Sequence, residues 1–412
     1  MPTTEVRRVR DEEFDAWCDA IDVGFHSPHH RGDGPQRRQW MLPDRCWGAF
    51  ADGIPVGTYR GLKLELTVPG GAGVAVDGIS SVTVAASHRR QGLLVRMMAG
   101  ELAAAVERGE SMAALLAAEW PIYGRFGFGS AADSCDWTLD ARAAQFTVDL
   151  PGTVELVDPA TARAEAPVVY DRFRKQHPGC VDRADYRWDL RFELLRAEGK
   201  EISKEPLFAL CRDSSGTAVG FARYKFGPEK FVHQRPDMKI MVEDLFALDH
   251  YYEARLWQFL AGHDWVTEVG TEYVLGSPDP IWRELLVDRR ACWSSNHWEG
   301  LWLRILDPIT ALTARTYEAP GRIVLQIADK DGYAEGTFAL EAGADGRAQC
   351  AATTETPDVT LPVSVLGSIY LGGFTADRYH RLGQIEEHAA GAVGRLTTLM
   401  RTVHTPFNQT GF

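Results

Sequence analysis

Arg89-Arg90-Gln91-Gly92-Leu93-Leu94 combines two guanidinium groups, a glycine and the opening of a helix within six residues. Val82-Thr83-Val84 before it reads as a strand, and Arg96 to Arg108 after it is a run of strong helix formers with Met97, Leu102 and Val106 at helical intervals. Arg89 to Leu93 therefore lie at a helix N-terminus, where unpaired N–H groups and the positive end of the helix dipole favour an anion. Gly92 lets the backbone approach that anion closely, and the two arginines supply counter-charge. The segment has neither the Gly-x-x-x-x-Gly-Lys-Ser/Thr order of a phosphate loop nor the Gly-x-Gly-x-x-Gly order of a dinucleotide fold. The chemistry it predicts is pyrophosphate binding for a ligand other than ATP or NAD.

That stretch resembles the Arg/Gln-x-x-Gly-x-Gly/Ala signature of GCN5-related N-acetyltransferases, with Leu94 in place of the final small residue. Ala117-Ala118-Glu119-Trp120-Pro121-Ile122-Tyr123-Gly124-Arg125-Phe126-Gly127-Phe128-Gly129 is similar to a more specific segment, that of the enhanced intracellular survival (Eis) proteins among them. Thr67-Val68-Pro69-Gly70, Gly300-Leu301-Trp302-Leu303-Arg304-Ile305 and Val365-Leu366-Gly367-Ser368-Ile369-Tyr370-Leu371-Gly372 follow the family's order, so the resemblance spans essentially the whole chain. It implies an acetyl-CoA-dependent N-acetyltransferase acting on a small-molecule or peptidyl amine, assembled as a homo-hexamer.

Transfer of an acyl group from a thioester to an amine needs a neutral nucleophile, an oxyanion stabiliser and an acid for the leaving thiolate. The resemblance implies that Val82, Thr83 and Val84 hold the pantetheine arm and thioester through main-chain bonds. Arg89, Arg90, Gln91, Gly92, Leu93, Leu94 and Val95 would bind the pyrophosphate, and Ala118 and Glu119 would border the cofactor. Tyr123, which precedes Gly124 as the family's acid does, is the candidate general acid, because a phenol is protonated well above neutral pH. The resemblance implies that Phe412 is the general base, through its terminal carboxylate, and makes Asp33 and Trp40 candidates for the amine pocket. Gly411 stands where aminoglycoside-modifying relatives can carry an acidic residue, which argues against an aminoglycoside as the amine.

Positioning these groups requires an α/β framework. Strands are expected around Cys46 to Ala51, Pro55 to Val68, Val74 to Val84 and Met112 to Ala118, with a helix after Gly92. Pro151-Gly152 marks a boundary, after which Val154 to Val157, Leu207 to Arg212, Val219 to Phe226 and Lys239 to Phe246 read as strands and Tyr251 to Gly262 as a helix. This second part imitates the first, but Leu248-Asp249-His250-Tyr251-Tyr252-Glu253 is acidic where a pyrophosphate would need donors. From Gly300 the pattern changes again, with strands at Leu301 to Ile305 and Arg322 to Ile327 and a helix at Pro362 to Tyr370. The expected fold is two tandem acetyltransferase-like α/β domains, 1–148 with the cofactor site and 149–298 without it. The resemblance implies that a sterol-carrier-protein-like domain, 299–412, follows and supplies the terminal carboxylate.

Bulk properties fit a large globular enzyme: 412 residues, 45% hydrophobic, 25% charged. A net charge of −13 disfavours a nucleic-acid partner and favours cationic amines. No apolar run is long enough for a membrane span and Asp11-Glu12-Glu13 follows the N-terminus, so a cytoplasmic location is expected. Seven cysteines lie apart without a Cys-x-x-Cys pair, so buried reduced thiols are expected. His26, His29 and His30 lack a carboxylate or thiol at a ligand spacing, and no metal is expected. Two other classes compete, an N-myristoyltransferase-like acyl transferase and a lipid carrier built on the last domain.

Overall fold

Apolar residues at every second position set the longest strands: within Ile54–Thr67, Leu62, Leu64 and Leu66 are buried while Lys63 and Glu65 face solvent. The computed structural model of the chain describes residues 4–27, 32–195, 206–271 and 276–412. His29 and His30 lie outside the described residues. Twelve of the described strands form one sheet. Its first-half strands are β1 (Thr4–Arg8), β2 (Cys46–Ala51), β3 (Ile54–Thr67), β4 (Gly73–Val84), β5 (Met112–Leu115) and β6 (Gly129–Asp140). The second half contributes β7 (Thr153–Val157), β8 (Leu207–Arg212) and β9 (Ala218–Phe226). After a hairpin, β10 (Phe231–Val232) and β11 (Arg235–Pro236), come β12 (Met238–Ala247), β13 (Val266–Thr271) and β14 (Cys292–Ile305).

The order across the sheet, β1-β2-β3-β4-β5-β14-β6-β13-β12-β9-β8-β7, shows one plan used twice. Each half is an antiparallel run of four strands joined to a parallel fifth, β5 beside β4 and β13 beside β12. The halves then exchange their last strands: β6 pairs with β13, β14 pairs with β5, and β6 and β14 pair with each other. Neither half can separate without breaking both ladders.

Helices cover the sheet. α1 (Phe14–Gly24) and α2 (Gly34–Arg37) pack together, α1 against β3 and β4. On the other face, α3 (Leu93–Glu107) buries Leu93, Met97, Met98 and Leu102. A single turn, α4 (Trp120–Tyr123), carries the candidate acid. The second half adds α5 (Pro159–Arg174), α6 (Asp185–Arg191) and α7 (His250–Ala261). Asp158 and Asp249 cap α5 and α7 by accepting from backbone N–H groups of their first turns.

The C-terminal part begins with α8 (Pro308–Ala314) and builds a five-stranded sheet, β17-β16-β15-β18-β19. Its members are β15 (Gly321–Ala328), β16 (Gly336–Ala342), β17 (Ala348–Ala352), β18 (Val359–Pro362) and β19 (Glu386–Glu387), with α9 (Val363–Ile369), α10 (Ala376–Arg381) and α11 (Ala392–Met400) between and after the last strands. The strand expected at Leu301 to Ile305 forms, but as the end of β14 in the large sheet. Leu301, Leu303 and Ile305 are fully buried there, and α9 packs against β14. All seven cysteines are buried and unpaired. No helix among the described residues is long and apolar enough to cross a membrane.

Candidate active site

β4 and β5 run parallel only from Val76 and Met112 to Ile79 and Leu115, after which the strands part. β4 continues to Val84 while β5 ends, so Ser80 to Val84 keep β3 on one side and have no ladder partner on the other among the described residues. A bulge sharpens the divergence. Pairing with β3 shifts between Thr58 and Arg60, and Ser81 sits in the left-handed region at φ 53°. Thr58 Oγ1 donates to Ser81 O at 2.7 Å and lies 2.7 Å from Thr83 Oγ1, which holds the bulge. The half-buried strand Val82-Thr83-Val84 therefore offers main-chain groups to a ligand that lies in the opening.

Arg90 and Gly92 both take positive φ, 64° and 72°, and Gly92 is the N-cap of α3 with no side-chain cap. The first α3 hydrogen bond runs from Arg96 N to Gly92 O, so the amides of Leu93, Leu94 and Val95 are free for an anion. Arg89 and Arg90 are exposed and have no ion-pair partner among the described residues. The matching junction of the second half differs: Asp249 Oδ1 accepts from Tyr251 N at 2.6 Å, placing a carboxylate at the start of α7. A phosphate there would meet like charge.

Tyr123 belongs to the same apolar cluster as Leu93, Met97, Met98 and Leu115, against which Val82, Val84 and Leu94 also pack. Its ring meets Phe128 edge-on at 6.3 Å. Burial raises the phenol above its ordinary pKa, and the neighbouring Glu119 adds to the shift. The turn after it is held from the other half of the sheet. Arg304 of β14 donates to Phe126 O and to both oxygens of Asp329, at 3.0 and 3.1 Å. Gly127, at φ 79°, is where that guanidinium passes, since a Cβ would lie 1.7 Å from Arg304 Nη1. Glu119 and Ala118 are exposed at the N-terminal side of α4.

The opposite face of β3 and β4 is built differently. Tyr59 OH donates to Met98 Sδ of α3, so Thr58 and Arg60 point the other way, toward α1. The C-terminal end of α1, at Gly24, lies against the Thr83 side chain. Trp40 is half-buried and its carbonyl accepts from Arg60 Nη2 at 3.2 Å. Asp33 is already engaged: Arg37 Nε is 2.7 Å from it while Nη2 bonds both oxygens of Asp22.

The last residues reach this face through the second half. Asn408, Gln409 and Thr410 are buried. Arg183 Nε donates to Thr410 Oγ1 and Nη2 to Gln409 O, both at 2.8 Å, while its guanidinium forks onto Asp244 at 2.6 and 3.2 Å. Tyr170 OH bonds Thr410 Oγ1 at 2.7 Å and its ring lies 3.9 Å from the Arg183 guanidinium. Arg187 Nη1 donates to Gly411 O at 2.7 Å. Phe412 packs its half-buried ring against the large cluster that joins the first half to the C-terminal sheet.

Residues 5–131 and 179–305 each match an acetyltransferase (GNAT) domain family, and residues 309–409 match a sterol carrier protein domain family. An uncharacterized N-acetyltransferase of Streptomyces avermitilis is 38% identical over 98% of this chain and 97% of its own length. N-acetyltransferase Eis of Mycobacterium tuberculosis is 36% identical over 80% of this chain and 79% of its own. The chain belongs to the Eis family of GNAT N-acetyltransferases. The crystal structure of Eis1 from Mycobacterium abscessus superposes on this Eis-family chain with a TM-score of 0.86, 27% identity and full coverage of both chains.

Reading the sequence of this family member missed Ser81, Arg60, Arg183, Asp244 and Arg304. The signal for two of them was a charge on the apolar face of a strand, Arg60 among Thr58, Leu62 and Leu64 and Arg304 in Leu301 to Ile305, while Asp244 shares Val242 to Phe246 with Glu243 and stands on the face of Val242 and Phe246. Arg183 follows Gly179 to Asp182, whose backbone pairs with the end of β3, and only that pairing brings it to the tail.

Proposed function

We propose that this chain transfers the acetyl group of acetyl-CoA directly to an amine. The observation that carries the reading is one cluster uniting Tyr123, Leu93 and the strand residues Val82 and Val84, beside an uncapped helix N-terminus with two arginines that have no ion-pair partner among the described residues. Residues Arg89 to Val95 hold the pyrophosphate, and Val82 to Val84 hold the pantetheine arm along the unpartnered edge of β4. The amine approaches from the face carrying Thr83, Trp40 and the chain end, and its nitrogen attacks the thioester carbonyl carbon. The Phe412 carboxylate takes the proton from that nitrogen, main-chain N–H groups of β4 meet the oxyanion, and the C–S bond breaks as Tyr123 protonates the sulfur. Asp33, neutralised by Arg37, does not serve as an amine-binding carboxylate in this reading. Homo-hexameric assembly, as the family resemblance implies, belongs to the same reading and is checked by light scattering.

The test is release of free CoA from acetyl-CoA across a panel of amines, using the unmodified chain, Tyr123→Phe and a chain extended by a few residues past Phe412. Acetylation by the unmodified chain, with most turnover lost in both variants, supports the mechanism. Turnover that survives the extension moves the base elsewhere. Absence of both turnover and acetyl-CoA binding overturns the reading.

A further inference from the structure

Arg60 is 8% exposed and no carboxylate stands against it among the described residues. Its Nη2 donates to Trp40 O, the Tyr186 phenol faces it, and its Nε is buried without a hydrogen-bond partner. Burial lowers its pKa, Tyr186 and Cys46 oppose the shift, and Arg187 adds to it. Other buried arginines of the chain have a carboxylate or backbone carbonyls against the guanidinium, although Arg304 Nε, like Arg60 Nε, has no hydrogen-bond partner among the described residues. Arg45 pairs with Asp77 and Glu110, Arg183 with Asp244 and Arg304 with Asp329, while Arg315 is hydrogen-bonded by the carbonyls of Tyr370 and Met400. Arg187 repeats the Arg60 pattern in part, with Nη1 on Gly411 O and Nε buried and unpartnered. The Phe412 carboxylate forms no ion pair with either arginine among the described residues. Two guanidinium groups and a phenol thus converge, Arg187 holding the Gly411 carbonyl, and neither guanidinium has a carboxylate within ion-pair distance among the described residues.

A buried charge without a partner is costly, and the planar guanidinium fork fits a carboxylate better than any other group. We infer that Arg60, flanked by Tyr186 and Arg187, binds a carboxylate carried by the acceptor, so that the acceptor class is an amine bearing a carboxylate. This rests on the amine acetyltransferase reading above and names its substrate class. The local charge explains how a chain of net charge −13 selects a substrate that is not simply cationic.

The test compares matched acceptors on the full chain: β-alanine, 4-aminobutyrate and phenylalanine, each against its carboxamide. CoA release is measured, and binding is followed by calorimetry with CoA present, which requires no turnover. The unmutated chain should favour at least one acid over its amide by tenfold or more in kcat/KM. Arg60→Gln should raise KM for that acid at least tenfold while leaving the amide within twofold and the KM for acetyl-CoA unchanged, and Arg60→Lys should keep part of the preference. Equal handling of acid and amide by the unmutated chain overturns the proposal, however the variants fold. A fall in kcat that Arg60→Gln imposes on acids and amides alike also overturns it, making Arg60 a positioning residue for the chain end. If no amine is acetylated and acetyl-CoA does not bind, the parent reading fails; without turnover the subsite is decided by calorimetry, where an acid preference lost in Arg60→Gln supports it and no preference overturns it.

Discussion

Tyr123 is buried beside Glu119, and both effects keep its proton on. A general acid must be protonated to act, so activity carried by this phenol is lost only as pH rises past a pKa above 10. The profile of kcat from pH 6 to 10 should therefore show no falling limb, and Tyr123→Phe should lower kcat roughly 10²–10⁴-fold throughout that range. A limb below pH 10 that vanishes in the phenylalanine variant would place the phenol's pKa lower than its burial requires. The arginines proposed to meet the pyrophosphate would act on binding instead. Arg90→Ala should raise KM for acetyl-CoA roughly tenfold, the worth of one charge-assisted hydrogen bond, with kcat little changed. Steady-state kinetics at fixed ionic strength separates the two. The types and neighbours of these residues were legible in the sequence because each sits in a contiguous motif. The engagement of Asp33 by Arg37 was partly local too, four residues along a short helix, but Asp22 joins the pair from α1.

At the scale of elements, the turn after α4 is shaped by a strand that arrives nearly two hundred residues later in the chain. Gly124 and Gly127 look equivalent in the Tyr-Gly-Arg-Phe-Gly segment, yet their surroundings differ. A Cβ at Gly124 meets open space, and its backbone is right-handed helical. At Gly127 it would strike Arg304 while holding a left-handed backbone. Gly127→Ala should cost on the order of 3 kcal/mol, from strain and from displacing a buried ion pair, whereas Gly124→Ala should leave stability within about 0.5 kcal/mol. Urea unfolding of the two variants tests the difference, and equal destabilisation would refute it. Strands β2 and β8 form over the residues expected for them, and β15 exceeds its expected range by one residue at each end. β14 extends well beyond its predicted segment because its first part pairs with β6, a partner whose position no local pattern reveals.

For the whole molecule, the second half serves as the clamp for the chain end. Burial pushes the Asp244 carboxyl up, but Arg183 and Arg191 outweigh it and hold the group below its ordinary range. A carboxyl depressed on folding contributes stability that is present above about pH 4 and is lost as pH falls through the folded value. Melting temperature should drop below pH 4 in the unmutated chain, with a smaller pH-dependent part in Asp244→Asn. At neutral pH, Arg183→Gln should cost about 3–5 kcal/mol by stranding Asp244, and hydrogen exchange at Asn408 to Thr410 should accelerate. The strand–turn–helix proposed as the pyrophosphate site, the candidate acid and the repeated α/β plan were all determined by the sequence itself, because each depends on neighbours within one or two elements. The exchange of β6 and β14, the Arg183 clamp and the approach of Arg60 to Arg187, which holds Gly411 O, were decided only by the tertiary structure. Those contacts join residues from 61 to 227 positions apart, and an arginine in a strand says nothing about its partner until the sheet is assembled.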